Sequence, residues 1–521
     1  MKPDFSSSLQ NRRAFIRQAA CAAVGTAALK NALRDLSLIN AAVAQSSVTG
    51  YKALVCIFLN GGNDSNNVII PTIPAEWNSY AAIRTPVLAL PNADGGPATA
   101  QALVSKNGLA GFPAADGHTY GFHPAMIELA RLFNGTNAPP YNVAKVAAML
   151  NVGTLTYPMT KAQYESGSVP APPQLFSHTD QQTQWQSSIL DQPPTSGWGG
   201  RVADLLTTPV DVNAGGQISM AVTLSGSNLF EVGNRNAAAQ YSVSTSGAVS
   251  ASGITGARLT TLQSILGAEK TVPNLQKAAY SQVLEHAVNE AGIVNNALAG
   301  NATAPWMSYF PTTITTPNGG ATFGSNLMSQ LQMVARLIDA GSRAYTGNVP
   351  GTGLGMKRQI FFVQVGGYDT HSGQTNNSGA TTTNNAAVII GSHANLLAEI
   401  SQSVNGFFKA MTDLSLAESV TAFTVSDFSR TFPANGQGSD HGWGGHHLVV
   451  GGAVKGGATY GRFPALTVNG PDDTDTGRWI PTMAVDQYAA ALAQWYGVDS
   501  GNLPTIFPNL GRFGPLSTSF L

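Results

Sequence analysis

Val420–His447 reads VTAFTVSDFSRTFPANGQGSDHGWGGHH, and the way it changes character part-way along decides the fold class. Its first six residues, Val420–Val425, have the composition of a buried strand. The rest is a polar loop with two carboxylates (Asp427, Asp440), one arginine (Arg430) and three histidines (His441, His446, His447). The chain holds nine histidines, so three within seven residues concentrate ligand chemistry in one place. A buried strand running straight into polar residues is how open α/β sheets build sites at the carboxyl ends of their strands.

Working outward, the same pattern recurs. Gln359–Val365 (QIFFVQV) is a second buried strand, ending in Gly366-Gly367-Tyr368-Asp369-Thr370-His371. A polar segment, a helix over Ser392–Leu414 and then Val420–Val425 complete a βαβ unit, whose two strands must be parallel. Ala53–Leu59 (ALVCIFL) is continuously apolar, as a strand buried on both faces should be, and runs into Asn60-Gly61-Gly62-Asn63-Asp64. Lys145–Leu150 is a further buried strand. The expected fold is therefore α/β, a doubly wound and mostly parallel sheet flanked by helices. Asp64 taken alone fits an Asx turn. An acid follows three strand ends, however (Asp64, Asp369, Asp427), with imidazoles nearby (His371, His441). Carboxylates and imidazoles converging from several strands form a site for one or two divalent ions: zinc, manganese, magnesium or calcium. Asp440 and His441 add an acid and an imidazole side by side. His446 and His447 are adjacent and point in different directions, so at most one of them, His446, is expected to be a ligand.

Ser177 precedes a helix entered through His178, and these two, with Arg430, are the candidate catalytic residues. Its hydroxyl fits a simple N-cap, and equally a nucleophile in the positive potential of a helix N-terminus; the residues leave both open. Trp198–Arg201 opens another helix. Residues 229–350 lack comparable ligand clusters and read as a helical insertion, with amphipathic helices over Tyr280–Leu298 and Ser325–Tyr345. In the second of these Leu327, Leu331, Val334, Leu337 and Ile338 share one face. A terminal helix spans Trp479–Gly497.

The first 44 residues read as a twin-arginine leader: Asn11-Arg12-Arg13-Ala14-Phe15-Ile16, the apolar run Ala19–Leu29, then Ala42-Val43-Ala44 as a cleavage site before Gln45. The twin-arginine export machinery is thus an expected partner, and a periplasmic or secreted location follows. No transmembrane segment is expected in the mature chain, residues 45–521. Cys21 leaves with the leader, so Cys56 has no intrachain partner and reads as core. Charged residues make up 11% of the chain and the net charge is −1, which removes the basic face that nucleic-acid binding requires.

GGND after the first strand, GGYDTH, SDFSRT and SDHGWGGHH together resemble a large bacterial domain-of-unknown-function family placed near the sulfatases, in the alkaline-phosphatase-like superfamily, over about residues 50–515. The resemblance implies a hydrolase of phosphate or sulfate esters with one or two metals. Asp64, Asp369, His371, Asp427 and His441 would be metal ligands and Ser177 the nucleophile. The sequence departs from that pattern in three places. Asp369 and His371 are two apart where Asp-x-x-x-His is usual. Phe428 follows Asp427 where the hydrolases have histidine, unless Asp440-His441-Gly442 is the matching signature. The Cys/Ser-x-Pro-x-Arg segment of ordinary sulfatases is missing. On this reading Arg430 or Arg201 clamps an anionic ester substrate. The competing reading is a non-catalytic exported protein that keeps the fold and binds an envelope polymer or a protein partner.

Overall fold

The computed structural model describes residues 50–521 apart from 93–98, 105–116, 136–141, 209, 236, 249–253, 255, 270–273 and 515–518. The expected leader, residues 1–44, lies outside the described residues.

The central sheet contains β1 (Lys52–Leu59), β2 (Val146–Gly153), β3 (Ala221–Thr223), β4 (Tyr241–Ser244), β5 (Gly247–Ala248), β6 (Arg358–Val365), β7 (Val420–Ser426), β8 (Gly445–Gly451), β9 (Ala458–Gly461) and β10 (Met483–Ala484). The order across it is β9-β2-β8-β7-β1-β6-β3-β4-β5, with β10 beside β2. β7, β1, β6, β3 and β4 run parallel, whereas β8 and β5 are antiparallel to their neighbours. The expected βαβ unit is present, with α7 (below) crossing between β6 and β7 and β1 inserted between those two strands.

Eight helices matter here: α1 (Pro74–Leu88), α2 (Ile127–Asn134), α3 (His178–Ser187), α4 (Trp198–Thr207), α5 (Leu275–Ala299), α6 (Asn326–Ser342), α7 (Ser392–Asp413) and α8 (Val485–Tyr496). They cover both faces of the sheet. Alternate side chains of β1 serve two cores: Ala53, Val55, Ile57 and Leu59 meet α2, α6 and α7 on one face, while Leu54, Cys56 and Phe58 meet α3, α4 and α8 on the other. This two-sided burial is why β1, β6 and β7 read as unbroken apolar runs. The amphipathic face expected of α6 is buried as a unit, and Cys56 is a buried free thiol. Residues 229–350 carry β4 and β5 at the sheet edge as well as α5 and α6. No helix among the described residues is long and apolar enough to cross a membrane.

The polar stretch after β7 is shorter than its composition suggests. His446 and His447 lie not in a loop but in β8, paired with β2 and β7. The run Leu448–Gly451 behind them pairs into the sheet and draws the imidazoles in, so tertiary pairing overrides local polarity.

Candidate metal centre

Sheet register brings the chemistry together. Leu59 of β1 is level with Val365 of β6 and with Ser426 of β7, so the three loops that follow leave the sheet side by side. Asp427 is the first residue beyond β7, Asp369 the fourth beyond β6, and α3 lays its first turn over both. One ligand atom from each of His178, Asp369 and His441 lies within 4.8 Å of the others. These side chains keep 30%, 45% and 24% of their surface, so the group opens to solvent on one side.

The imidazoles are oriented from behind. His178 Nδ1 donates to Asp427 Oδ2 at 2.7 Å, and the buried Asp427 also accepts from Gln182 Nε2 at 2.9 Å and the Gly61 amide at 3.1 Å. That leaves His178 Nε2 buried without a hydrogen-bond partner, 3.5 Å from Asp369 Oδ2. His441 Nδ1 donates to the Phe176 carbonyl at 2.8 Å, and His371 Nδ1 to Asp440 Oδ1 at 2.8 Å. With each Nδ1 proton committed, the Nε2 atoms of His371 and His441 face each other as lone pairs at 2.9 Å, and both lie near Asp369 Oδ1, at 3.2 and 3.4 Å. Two lone pairs at that distance repel unless a cation or a proton lies between them. Nδ1 held by an acceptor and Nε2 turned inward is the arrangement of metal-ligating histidine. Two or three imidazoles with one carboxylate match zinc and its transition-metal neighbours better than magnesium or calcium, which prefer oxygen ligands throughout.

Burial pushes the Asp369 carboxyl up, but the Arg430 hydrogen bond and the charges of Arg430, His371 and His178 outweigh it and hold the group below its usual value. Asp440 is lowered in the same way by Asn435 and His371, against its burial. The Asp427 hydrogen bond raises His178, whereas burial lowers His441.

Arg430 is fully buried and is used internally. It donates to Asp369 Oδ1 at 2.6 Å, to Gly61 O at 3.1 Å and to Ser439 O, so it positions Asp369. Arg201 is likewise taken up by the carbonyls of Ile506, Ser196 and Ser187. Asp64 is paired with Arg84 of α1 and also bonded by Gln374 and Asn66, which places it beneath the centre rather than within its ligand group. Asp440 stands behind His371 as its hydrogen-bond acceptor. Ser177 occupies the N-cap of α3 without making the capping bond; its hydroxyl donates to Asp180 Oδ2 at 2.6 Å.

The glycines after β1 have a packing purpose. A Cβ on Gly61 (φ +118°) would sit 2.5 Å from the Asp369 amide nitrogen, and one on Gly62 (φ +82°) 2.4 Å from the Phe428 ring. The strand-end loops therefore touch backbone to backbone. Phe428 seats its ring against His178 and His441, with centroids 4.9 and 4.6 Å away.

His446 lies outside the ligand group. It is buried, its Nδ1 accepts from the Asn151 amide at 3.1 Å, and its ring stacks on Phe463. His447 points the other way, against Trp185 and Tyr488, with Nδ1 unpartnered. Burial drives both down to about 3. A histidine held neutral in the fold but free to protonate near pH 6.5 when unfolded costs stability as pH falls. Its contribution is intact above about 6.5 and shrinks by about 1.4 kcal/mol per pH unit down to the folded value. Urea midpoints measured between pH 7.5 and 5 should therefore fall, and His447→Phe, which also removes the orphaned nitrogen, should flatten that slope. An unchanged slope would show that His447 is not the buried neutral group described.

Three contributors gave little sequence signal. Gln182 sits one helical turn after His178 and shares its face, a spacing that could have flagged it. The Phe176 carbonyl is aimed at His441 by a positive φ of 73°, unusual for a bulky residue and invisible to motif reading. Asn435 holds Asp440 from within its own loop, at 2.9 Å.

Residues 354–476 match the family described as "Protein of unknown function (DUF1501)". That DUF1501 domain supplies Asp369, His371, Asp427, Arg430, Asp440 and His441, while His178 and β1 lie outside it. No curated protein matches the chain. Among solved structures, one titled "Crystal structure of Ps i-CgsB in complex with k-i-k-neocarrahexaose" aligns over 88% of this chain and 77% of its own, at 8% identity and a TM-score of 0.29, too slight a likeness to carry an argument.

Proposed function

We propose that the chain is an exported, metal-dependent hydrolase of phosphate or sulfate esters, working in the periplasm or outside the cell with one divalent centre held by His178, Asp369 and His441. The observation that carries this reading is the set of inward-facing Nε2 atoms, one orphaned and two opposed at 2.9 Å, each with its Nδ1 anchored. When bound, a zinc-class ion supplies charge against the ester oxygens and brings the acidity of a water towards pH 7. The protein's own part is orientation. Asp427 holds the His178 ring, Arg430 holds the Asp369 carboxylate, and Phe428 excludes water from the inner side of both His178 and His441. With Asp64 committed to Arg84, the donors favour one centre rather than two. With the Ser177 hydroxyl bonded to Asp180, water rather than Ser177 is the favoured nucleophile.

Arg478 takes the anion-binding role that Arg430 and Arg201 are too fully engaged to fill. Its Nε donates to His441 O at 2.9 Å and its Nη1 to Asp475 at 3.0 Å, its guanidinium lies over Phe176 at 4.6 Å, and its Nη2 makes no bond among the described residues. Arg478→Gln should raise KM for a phosphate or sulfate ester by about 10- to 100-fold, the worth of a charge-assisted hydrogen bond, with bound metal retained. An unaltered KM would remove Arg478 from substrate binding.

The competing reading, a non-catalytic envelope protein, draws its support from Phe428, an aromatic ring where the family resemblance expects histidine. Metal counting on natively exported protein, followed by a screen of phosphate and sulfate esters, separates the two. About one tightly held divalent ion with turnover supports the hydrolase, and a folded protein without metal affinity supports the binding protein.

A further inference from the structure

A second cavity lies at the opposite end of the sheet from the metal centre. It has a volume of about 780 Å³ and sits at the amino ends of β3 and β4, between the end of α4 and the side of α5. That is within the range of small-molecule pockets. Its walls include Ile218, Met220, Tyr241 and Ile293, and among the described residues the charged ones lining it are Asp211 and Glu290. No lysine, arginine or histidine lines it among the described residues. Asp211 accepts from the Asn213 amide at 2.8 Å. Glu290 has no hydrogen-bond or ion-pair partner among the described residues, and burial alone pushes its carboxyl up to about 7. A carboxylate so placed loses hydration without gaining a partner, and a ligand carrying positive charge restores the balance. Tyr241 adds an aromatic wall that also favours a cation.

We propose that this cavity binds a small organic cation, an amine with an apolar body, whose ammonium pairs with Glu290 while its carbon frame lies on Ile218, Met220 and Ile293. The site is independent of the metal centre: the amino and carboxyl ends of parallel strands lie at opposite edges of the sheet, and no residue is shared between them.

The test compares n-hexylamine, hexan-1-ol and hexanoate by calorimetric titration of the full-length protein at pH 8. The amine should bind at least about tenfold more tightly than the alcohol, a difference of about 1.4 kcal/mol, and hexanoate should not bind. Glu290→Gln should bring amine and alcohol to equal affinity. Ala239→Trp, at an exposed position on the rim, should block both ligands without disturbing the core. Metal content should not change in either variant. Equal binding of amine and alcohol to the unmodified protein, a preference for the amine that survives in Glu290→Gln, or no binding of any probe would overturn the proposal.

Discussion

Replacing His441 with alanine should strip the proposed metal from the protein and abolish the proposed ester hydrolysis. His441 is one of three residues whose ligand atoms converge within 4.8 Å, and its Nε2 also stands opposite that of His371. Losing it removes a ligand and the partner of that contact together. Asp427→Asn is the informative companion. It leaves all three ligands but weakens the acceptor that fixes the His178 tautomer, and outer-shell changes of this kind cost about 10- to 100-fold in metal affinity. His371→Ala should be the mildest of the three, because His371 is 45% exposed and outside the convergent trio. Zinc competition against a fluorescent chelator, with elemental mass spectrometry on the purified proteins, gives the ranking directly. If His441→Ala held its metal as tightly as the unmodified protein, the centre would be somewhere else.

Arg84→Met should destabilise the whole fold by about 3–5 kcal/mol, the cost of leaving one member of a buried ion pair alone. Arg84 and Asp64 are both completely buried. Arg84 also donates from Nη1 to the carbonyls of Thr431 and Phe432, at 3.1 and 2.8 Å, which ties α1 to the loop beyond β7. Burial pushes the Asp64 carboxyl up, but the Arg84 and His393 charges and the Gln374 bond together hold it below the usual value. A carboxyl lowered in the fold contributes stability above its unfolded pKa near 3.9 and loses it as pH falls through the folded value. The deficit of Arg84→Met should accordingly be largest near neutral pH and narrow once Asp64 can protonate. Asp64→Leu combined with Arg84→Met should recover much of the loss, since a buried pair replaced by apolar groups is often near neutral. Urea denaturation at pH 7 and pH 4.5 provides the comparison. A single variant as stable as its parent at pH 7 would mean that Asp64 does not depend on Arg84.

Part of the convergent group is legible in the sequence because strand ends are local events. Asp369 and Asp427 follow apolar runs whose two-sided burial is written in their composition, and parallel strands in register must deliver such residues to one edge. His178 was legible less directly, as the residue entering a helix beside a serine. Its place in the convergent group, with Ser177 turned to Asp180, depends on where α3 lands across the sheet. The same holds for His446: the dense cluster of histidines places it among the candidate ligands, but β8 pairs with β2 and buries it.

The sequence by itself determined the α/β class, the buried strands β1, β2, β6 and β7, the long helices α6 and α7, and the acids that follow the strands. Hydrophobic periodicity and strand-end polarity are properties of short segments. Only the tertiary structure decided which of those acids joins the convergent group with His178 and His441 and which lies behind it. Asp64 and Asp427 follow strands as Asp369 does, but Arg84 neutralises the first, and His178 takes the second as its orienting acceptor. Those partners lie 20 and 249 residues away along the chain, and no local pattern encodes a contact made across that distance.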